Sequence, residues 1–302
     1  MWADIERFDI EELIAADPGG PGGRRRARGF AVQLPELTSV PVHWHDYYEL
    51  GYVLEGHARH VVNGVEQLAA PGTVFLLSPA DFHAIERSGT EPLTLLNAVL
   101  HPRLVEQTLE SVIPGGDLGA WSRASLPGVA EDVRRICRES STRTRGWEVV
   151  VESALRGILV ELARCSADGD LEASQDVGGA GPPAHVRRAL RYVERHFREP
   201  LTLAQVAAVA HLSPHWFSEQ FRRGTGESFQ SYLRGRRLEF AHGLLDSTEL
   251  GITEVCHAAG FNDPSYFGRA YRARYGYPPS KRPPPPGAGH RSETFAQGLL
   301  TG

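Results

Sequence analysis

Residues 43–49 read His43-Trp44-His45-x3-Glu49, with Gly56 seven positions further on and a Pro79-x3-His83 run beyond it. Side chains two apart on a strand share a face, so His43 and His45 would look the same way. Joined by Glu49 and His83, they would offer three nitrogen donors and one oxygen, a set suited to a divalent metal inside a barrel. The same four residues could instead hydrogen-bond a small effector directly, or be satisfied histidines of a barrel wall. Trp44, Tyr47, Arg59 and Asn97 are further candidates to line such a pocket. Aromatic stacking with several polar partners would suit a sugar.

The elements that must hold these residues are short and β-rich from Phe30 to about Leu100. The runs Tyr48–Leu54, His57–Val62, Thr73–Ser78 and Leu93–Leu100 read as strands, and Asn63-Gly64 is a hairpin turn signal. Several short strands at this spacing predict a small barrel or sandwich. Residues 101–165 turn helical and end in Val149–Arg164. There Leu155, Ile158, Leu159 and Leu162 form an apolar stripe, either intradomain core or a dimer face. Residues 1–29 read as a flexible leader containing Arg24-Arg-Arg-Ala-Arg28. Ser166–Pro183 is a linker by composition, and 283–302 a disordered tail.

Residues 184–282 carry one pattern twice. The first copy is Leu203-Ala-Gln-Val206-Ala207-x3-His211-Leu212-Ser213-x3-Phe217-x3-Phe221-x4-Gly226. The second is Ile252-Thr-Glu-Val255-Cys256-x3-Gly260-Phe261-x-Asp263-x3-Phe267-x3-Tyr271-x4-Gly276. Each predicts a short helix, a tight turn and a longer helix, the layout of a helix-turn-helix. Ser213 and Asp263 would cap the longer helices, each followed by a proline suited to the first helical position. Phe217, Phe221, Phe267 and Tyr271 would then face inward. His215, Ser218, Glu219 and Arg222 point outward from one helix, and Ser265, Gly268, Arg269 and Arg272 from the other. Major-groove reading needs a few such side chains near a helix start. Arg269 suits a bidentate pair to guanine and Glu219 the amine of cytosine. Arg222, Arg223, Arg272 and Arg274 suit phosphate.

Charge agrees with this division. Residues 184–282 hold 15 Arg and Lys against 9 Asp and Glu, a net +6. Residues 1–183 hold 16 against 27, a net −11. A basic module on an acidic one is expected when only one part meets phosphate. No apolar run approaches ~20 residues, so no membrane span is expected. The N-terminus has no apolar signal core. The three cysteines have no paired spacing, which fits a reducing cytoplasm.

Residues 184–282 resemble the AraC/XylS family of transcription regulators. The resemblance rests on Arg237-Leu-x-x-Ala241-x-x-Leu244-Leu245, Ile252-x-x-Val255, Gly260-Phe261-x-Asp263-x-Ser265-Tyr266-Phe267 and Tyr275-Gly276-Tyr-Pro278-Pro279-Ser280. It implies two helix-turn-helix subdomains joined by a central helix, here Phe229–Asp246. The His43-to-Gly56 run resembles the first cupin motif, which implies an N-terminal cupin-like β-barrel with trailing helices over residues 30–165. One departure is that Pro71-Gly72 is not followed by an early histidine; His83 comes eleven residues after Gly72. The resemblance implies a small-molecule sensor, closest in pattern to sugar-responsive members, and a homodimer that activates transcription with RNA polymerase on double-stranded DNA. The alternatives are a metal-dependent cupin enzyme fused to a DNA-binding domain, and a constitutive architectural protein.

Overall fold

The chain is described by a computed structural model covering residues 7–8, 29–112, 121–124, 126, 128–173 and 182–281. The Arg24–Arg28 run and the tail from Pro283 lie outside the described residues. Two sheets face each other. In the first, β1 (Arg7–Phe8), β4 (Ser39–His45), β9 (Phe82–Arg87), β6 (Ala58–Val62) and β7 (Val65–Ala69) lie side by side in that order. The second runs β11 (Trp121–Ala124), β8 (Thr73–Leu77), β5 (Tyr48–Glu55), β10 (Leu93–Leu100) and β2 (Phe30–Gln33). A short β3 (Glu36–Leu37) also pairs with β10. The expected cupin-like barrel is thus two facing antiparallel sheets, in which, among the described strands, only β1 runs parallel to its neighbour.

Period-2 alternation decides what each strand puts inside. Val53, Leu93 and Leu95 of the second sheet meet Ala58, Ala69 and Ile85 of the first, and Val62 meets Phe75 and Leu77. Gly51 makes room for this filling, because a Cβ there would lie 1.9 Å from the Phe75 ring. Asn63 (φ 50°) and Gly64 (φ 83°) both adopt the left-handed conformation that a two-residue hairpin turn requires.

The second sheet is buried on both faces, which explains why β8 is almost continuously apolar. Its outer face, with Leu50, Val74, Leu76, Leu96 and Leu100, packs on α1 (Pro102–Glu110), α2 (Val129–Thr142) and α3 (Trp147–Ala173). The Leu155–Leu162 stripe of α3 lies in this contact, each of its four residues at most 1% exposed. It is core of this chain. The helix also continues nine residues past Arg164, into the stretch expected as a linker.

Six α-helices follow among the described residues: α4 (Ala184–His196), α5 (Leu203–Val209), α6 (Pro214–Thr225), α7 (Phe229–Ser247), α8 (Ile252–Ala258) and α9 (Pro264–Tyr275). Their core holds Phe217, Phe221, Phe229, Phe267 and Tyr271, all nearly or wholly inaccessible. The long α7 joins the two helix-turn-helix units. The outer face of the first sheet, through Trp44 and Phe82, belongs to the same apolar cluster.

Candidate effector site and nucleic-acid interface

Strand β4 turns His43 and His45 into the space between the sheets, and β9 brings His83 opposite His43 in register. Glu49 enters from β5 across the gap. His43, His45, Glu49 and His83 are all buried. His43 Nδ1 donates to the Pro41 carbonyl and His45 Nδ1 to the Tyr47 carbonyl, each at 2.8 Å. A carbonyl only accepts, so both rings carry a proton on Nδ1 and turn Nε2 away from it. His45 Nε2 lies 3.3 Å from a Glu49 carboxylate oxygen and His83 Nε2 3.5 Å from the same oxygen. Ligand atoms of His43, Glu49 and His83 fall within 4.8 Å of one another.

Burial sets the charge state of two of these rings. Burial lowers His43 and pushes His83 down to about 4, which keeps both rings uncharged at neutral pH. The Glu49 carboxylate faces the His45 and His83 Nε2 atoms at 3.3 and 3.5 Å, close enough to share one proton or one cation with them. Asn97 Nδ2 donates to the other Glu49 oxygen at 3.1 Å. Buried polar atoms without partners are costly. The Nε2 atoms of His45 and His83 have no hydrogen-bond partner among the described residues. A divalent cation, or the hydroxyl groups of a polyol, would relieve them. Rings that give Nδ1–H to a backbone carbonyl and present Nε2 are the arrangement metal-ligating histidines adopt. The donor set therefore fits a metal.

His60, on β6, belongs to this cluster although its neighbours in sequence carry no motif. Its Nε2 lies 3.2 Å from His83 Nδ1, and burial pushes it down to about 3. The proton shared along that contact sets which way the His83 Nε2 presents. Tyr47 stacks on His45, with ring centroids 4.2 Å apart and planes 8° from parallel. Trp44 and Arg59 are not in this space. Trp44 alternates to the outer face of β4, and Arg59 lies outside on β6, paired with Glu66 and Glu86 at 3.1 and 3.0 Å.

The second candidate surface lies on α6 and α9. Ser213 accepts from the Trp216 amide and Asp263 from the Ser265 amide, as their N-cap positions require. Gly226 and Gly276 end the two helices in the left-handed conformation. The preceding turns also match: His211 (φ 57°) and Gly260 (φ 83°) are left-handed at corresponding positions. His215, Ser218, Glu219 and Arg222 are exposed on α6, as are Ser265, Arg269 and Arg272 on α9, with Gly268 half-buried. His215 and Glu219 face each other at 3.7 Å. Trp216 and Tyr266, also fifty positions apart, are 49% and 42% exposed, an aromatic pair that the outward-facing set had omitted. Each offers an apolar surface of the kind that meets a thymine methyl. Arg274 is held against Glu239 of α7.

The profile of AraC-like ligand-binding domains matches residues 31–175, and that of a helix-turn-helix domain matches residues 206–282. The HTH-type transcriptional activator RhaS of Enterobacter sp. (strain 638) is 26% identical over 256 residues, 82% of this chain and 88% of its own. RhaS of Salmonella arizonae is 27% identical over the same shares. Among solved structures, ToxT from Vibrio cholerae O395 aligns with 83% of this chain and 96% of its own, at 11% identity and a TM-score of 0.39. The C-terminal domain of AraT, a response regulator from Geobacillus stearothermophilus, aligns with 38% of this chain and 98% of its own, at 32% identity and a TM-score of 0.35. Among the described residues no helix is long and apolar enough to cross a membrane. A basic double helix-turn-helix behind a facing-sheet domain with a buried polar cluster therefore matches its relatives along both halves, and the chain belongs to the AraC family of DNA-binding transcription regulators, with that family's ligand-binding domain at its N-terminal side.

Proposed function

We propose that this regulator is an activator whose two helices α6 and α9 read successive stretches of one major-groove face, under control of a ligand bound between the sheets. The observation that carries the DNA reading is the matched pair of capped helices with exposed polar side chains at equal positions. Arg269 would pair with a guanine edge, Glu219 with a cytosine amine, and Arg222, Arg223 and Arg272 with phosphates. RNA polymerase follows as a partner from activation. A homodimer, if the protein forms one, would use surfaces other than the buried Leu155–Leu162 stripe.

For the ligand, the buried cluster supports a divalent cation held by His43, His45, Glu49 and His83. When bound, the cation would supply the positive charge that the buried lone pairs and carboxylate need. The chain's own residues do the positioning: the Pro41 and Tyr47 carbonyls orient His43 and His45, His60 orients His83, and Asn97 holds Glu49. A sugar whose hydroxyls donate into the same acceptors is the second reading, favoured by the Tyr47 ring stacked beside them. Selection from a random duplex pool at defined salt tests the DNA reading. Two half-motifs about one helical turn apart are expected; a protein that selects no site would overturn it. Cobalt uptake, followed by visible absorbance, tests the cation.

A further inference from the structure

The same strand that carries two cluster ligands carries a contact to the DNA-reading half. Between His43 and His45, Trp44 points away from the cluster and is 8% exposed. Its ring meets Phe240 of α7 edge-on, with centroids 5.6 Å apart. Phe82, which pairs with Trp44 in register on β9, meets the Phe240 ring at 5.5 Å, and Phe197 meets the Phe240 ring at 5.4 Å. Over this aromatic group lies Arg198, from the loop after α4. Its guanidinium sits 5.5 Å from the Trp44 centroid and 5.1 Å from those of Phe197 and Phe240. It donates to the Pro79 carbonyl at 2.9 Å and to the His45 carbonyl at 3.4 Å. His45 thus gives its ring to the cluster and its backbone oxygen to the DNA-binding half.

Arg198 reaches further. Its own carbonyl lies against Gly260, where a Cβ would fall 2.5 Å away, and Gly260 is the left-handed residue of the turn before α9. One residue therefore touches the ligand strand on one side and the second reading unit's turn on the other. The rest of the contact is easily remodelled. Arg195–Glu106 and Arg191–Glu110 are ion pairs at 3.4 and 3.6 Å on its rim. A cavity of about 190 Å³ lined by Trp44, Arg195, Arg198 and His257 leaves it incompletely packed. Contacts between domains of this mixed character permit relative motion.

We infer that Trp44 and Arg198 are positioning residues that couple the cluster to DNA reading: a change in β4 at His43 and His45 moves the Trp44–Phe240 contact and the His45–Arg198 bond, and with them α7 and the turn before α9. This rests on the reading of the cluster as the ligand site. It does not depend on which ligand the cluster takes. Coupling free energies between sites are typically a 5- to 150-fold change in affinity.

The test is a double-mutant cycle on DNA affinity with full-length protein, using one selected duplex at fixed salt. Glu49→Gln perturbs the cluster without emptying it, and Arg198→Ala opens the bridge. Glu49→Gln alone should shift the DNA dissociation constant at least five-fold, and in the Arg198→Ala background that shift should fall below two-fold. Trp44→Phe should weaken the coupling part-way and Arg198→Lys restore part of it, with thermal unfolding confirming that each variant is folded. A purely structural role for Arg198 would change stability or overall affinity but leave the Glu49→Gln shift intact, and that result overturns the coupling. So does a Glu49→Gln protein whose DNA affinity equals the wild type's. Cobalt absorbance on the same proteins reports separately on the cation: its absence with an intact cycle removes the cation and keeps the coupling.

Discussion

The cluster between the sheets and the helices α6 and α9 treat their polar residues in opposite ways. His43, His45, Glu49 and His83 are buried, and the two β4 histidines are each tied to a backbone carbonyl. Arg222, Arg269 and Arg272 stand in solvent on the ends of long side chains. A small ligand offers few contacts, so its site gains by being rigid in advance and by leaving acceptors waiting. DNA offers a dense line of phosphates, and side chains that meet it remain hydrated until it arrives. Burial like that of the first region would leave the second unable to reach a base edge.

Four substitutions would break or sharpen that contrast, in falling order of effect. Phe267→Ala removes a fully buried ring from the shared helical core. It should cost ~3–5 kcal/mol of stability, read by chemical denaturation, while a surface change such as Arg272→Ala should cost almost nothing. His60→Phe removes the partner that orients His83 and should weaken cobalt binding about 10- to 100-fold, with DNA selection unchanged. Unaltered cobalt affinity would show that His83 needs no such support. Arg269→Ala should relax discrimination at one base pair by ~1–3 kcal/mol; equal weakening on every sequence would assign Arg269 to phosphate. Arg272→Ala should weaken binding to all sequences alike and lower the salt slope by about one, a change visible in a titration from low to moderate salt.

Much of this is legible in the order of the residues. The β10 strand falls on Leu93–Leu100 as its composition predicts, and the central helix on Phe229–Ser247 against an expected Phe229–Asp246. Repetition at fifty residues placed both N-caps and both C-terminal glycines, because caps and left-handed turns are local demands with few residue types to meet them. The pocket lining was only half legible. Alternation along β4 already sets Trp44 opposite His43 and His45, and along β6 sets Arg59 opposite His60. Chemical suitability points Trp44 and Arg59 inward against that period, and the signal for His60 is only its place between Ala58 and Val62. The end of α3 escaped for another reason. Ser-Ala-Asp-Gly reads as linker, yet helix extends at small cost once begun, and Leu171, Glu172 and Ala173 are good formers. The Trp44–Phe240 contact joins residues almost two hundred positions apart, and no local pattern announces such a pair.

The measurement that bears most directly on ligand-gated DNA reading is the dissociation constant of the full-length protein for its selected duplex at one salt concentration. It would be taken in chelator, then with cobalt or zinc, then with each of a panel of sugars. A ligand that binds between the sheets should move that constant by at least five-fold and lose its effect in the His43→Ala, His45→Ala protein, which should still bind DNA. A ligand shown to bind there that leaves the constant unchanged would contradict the gating.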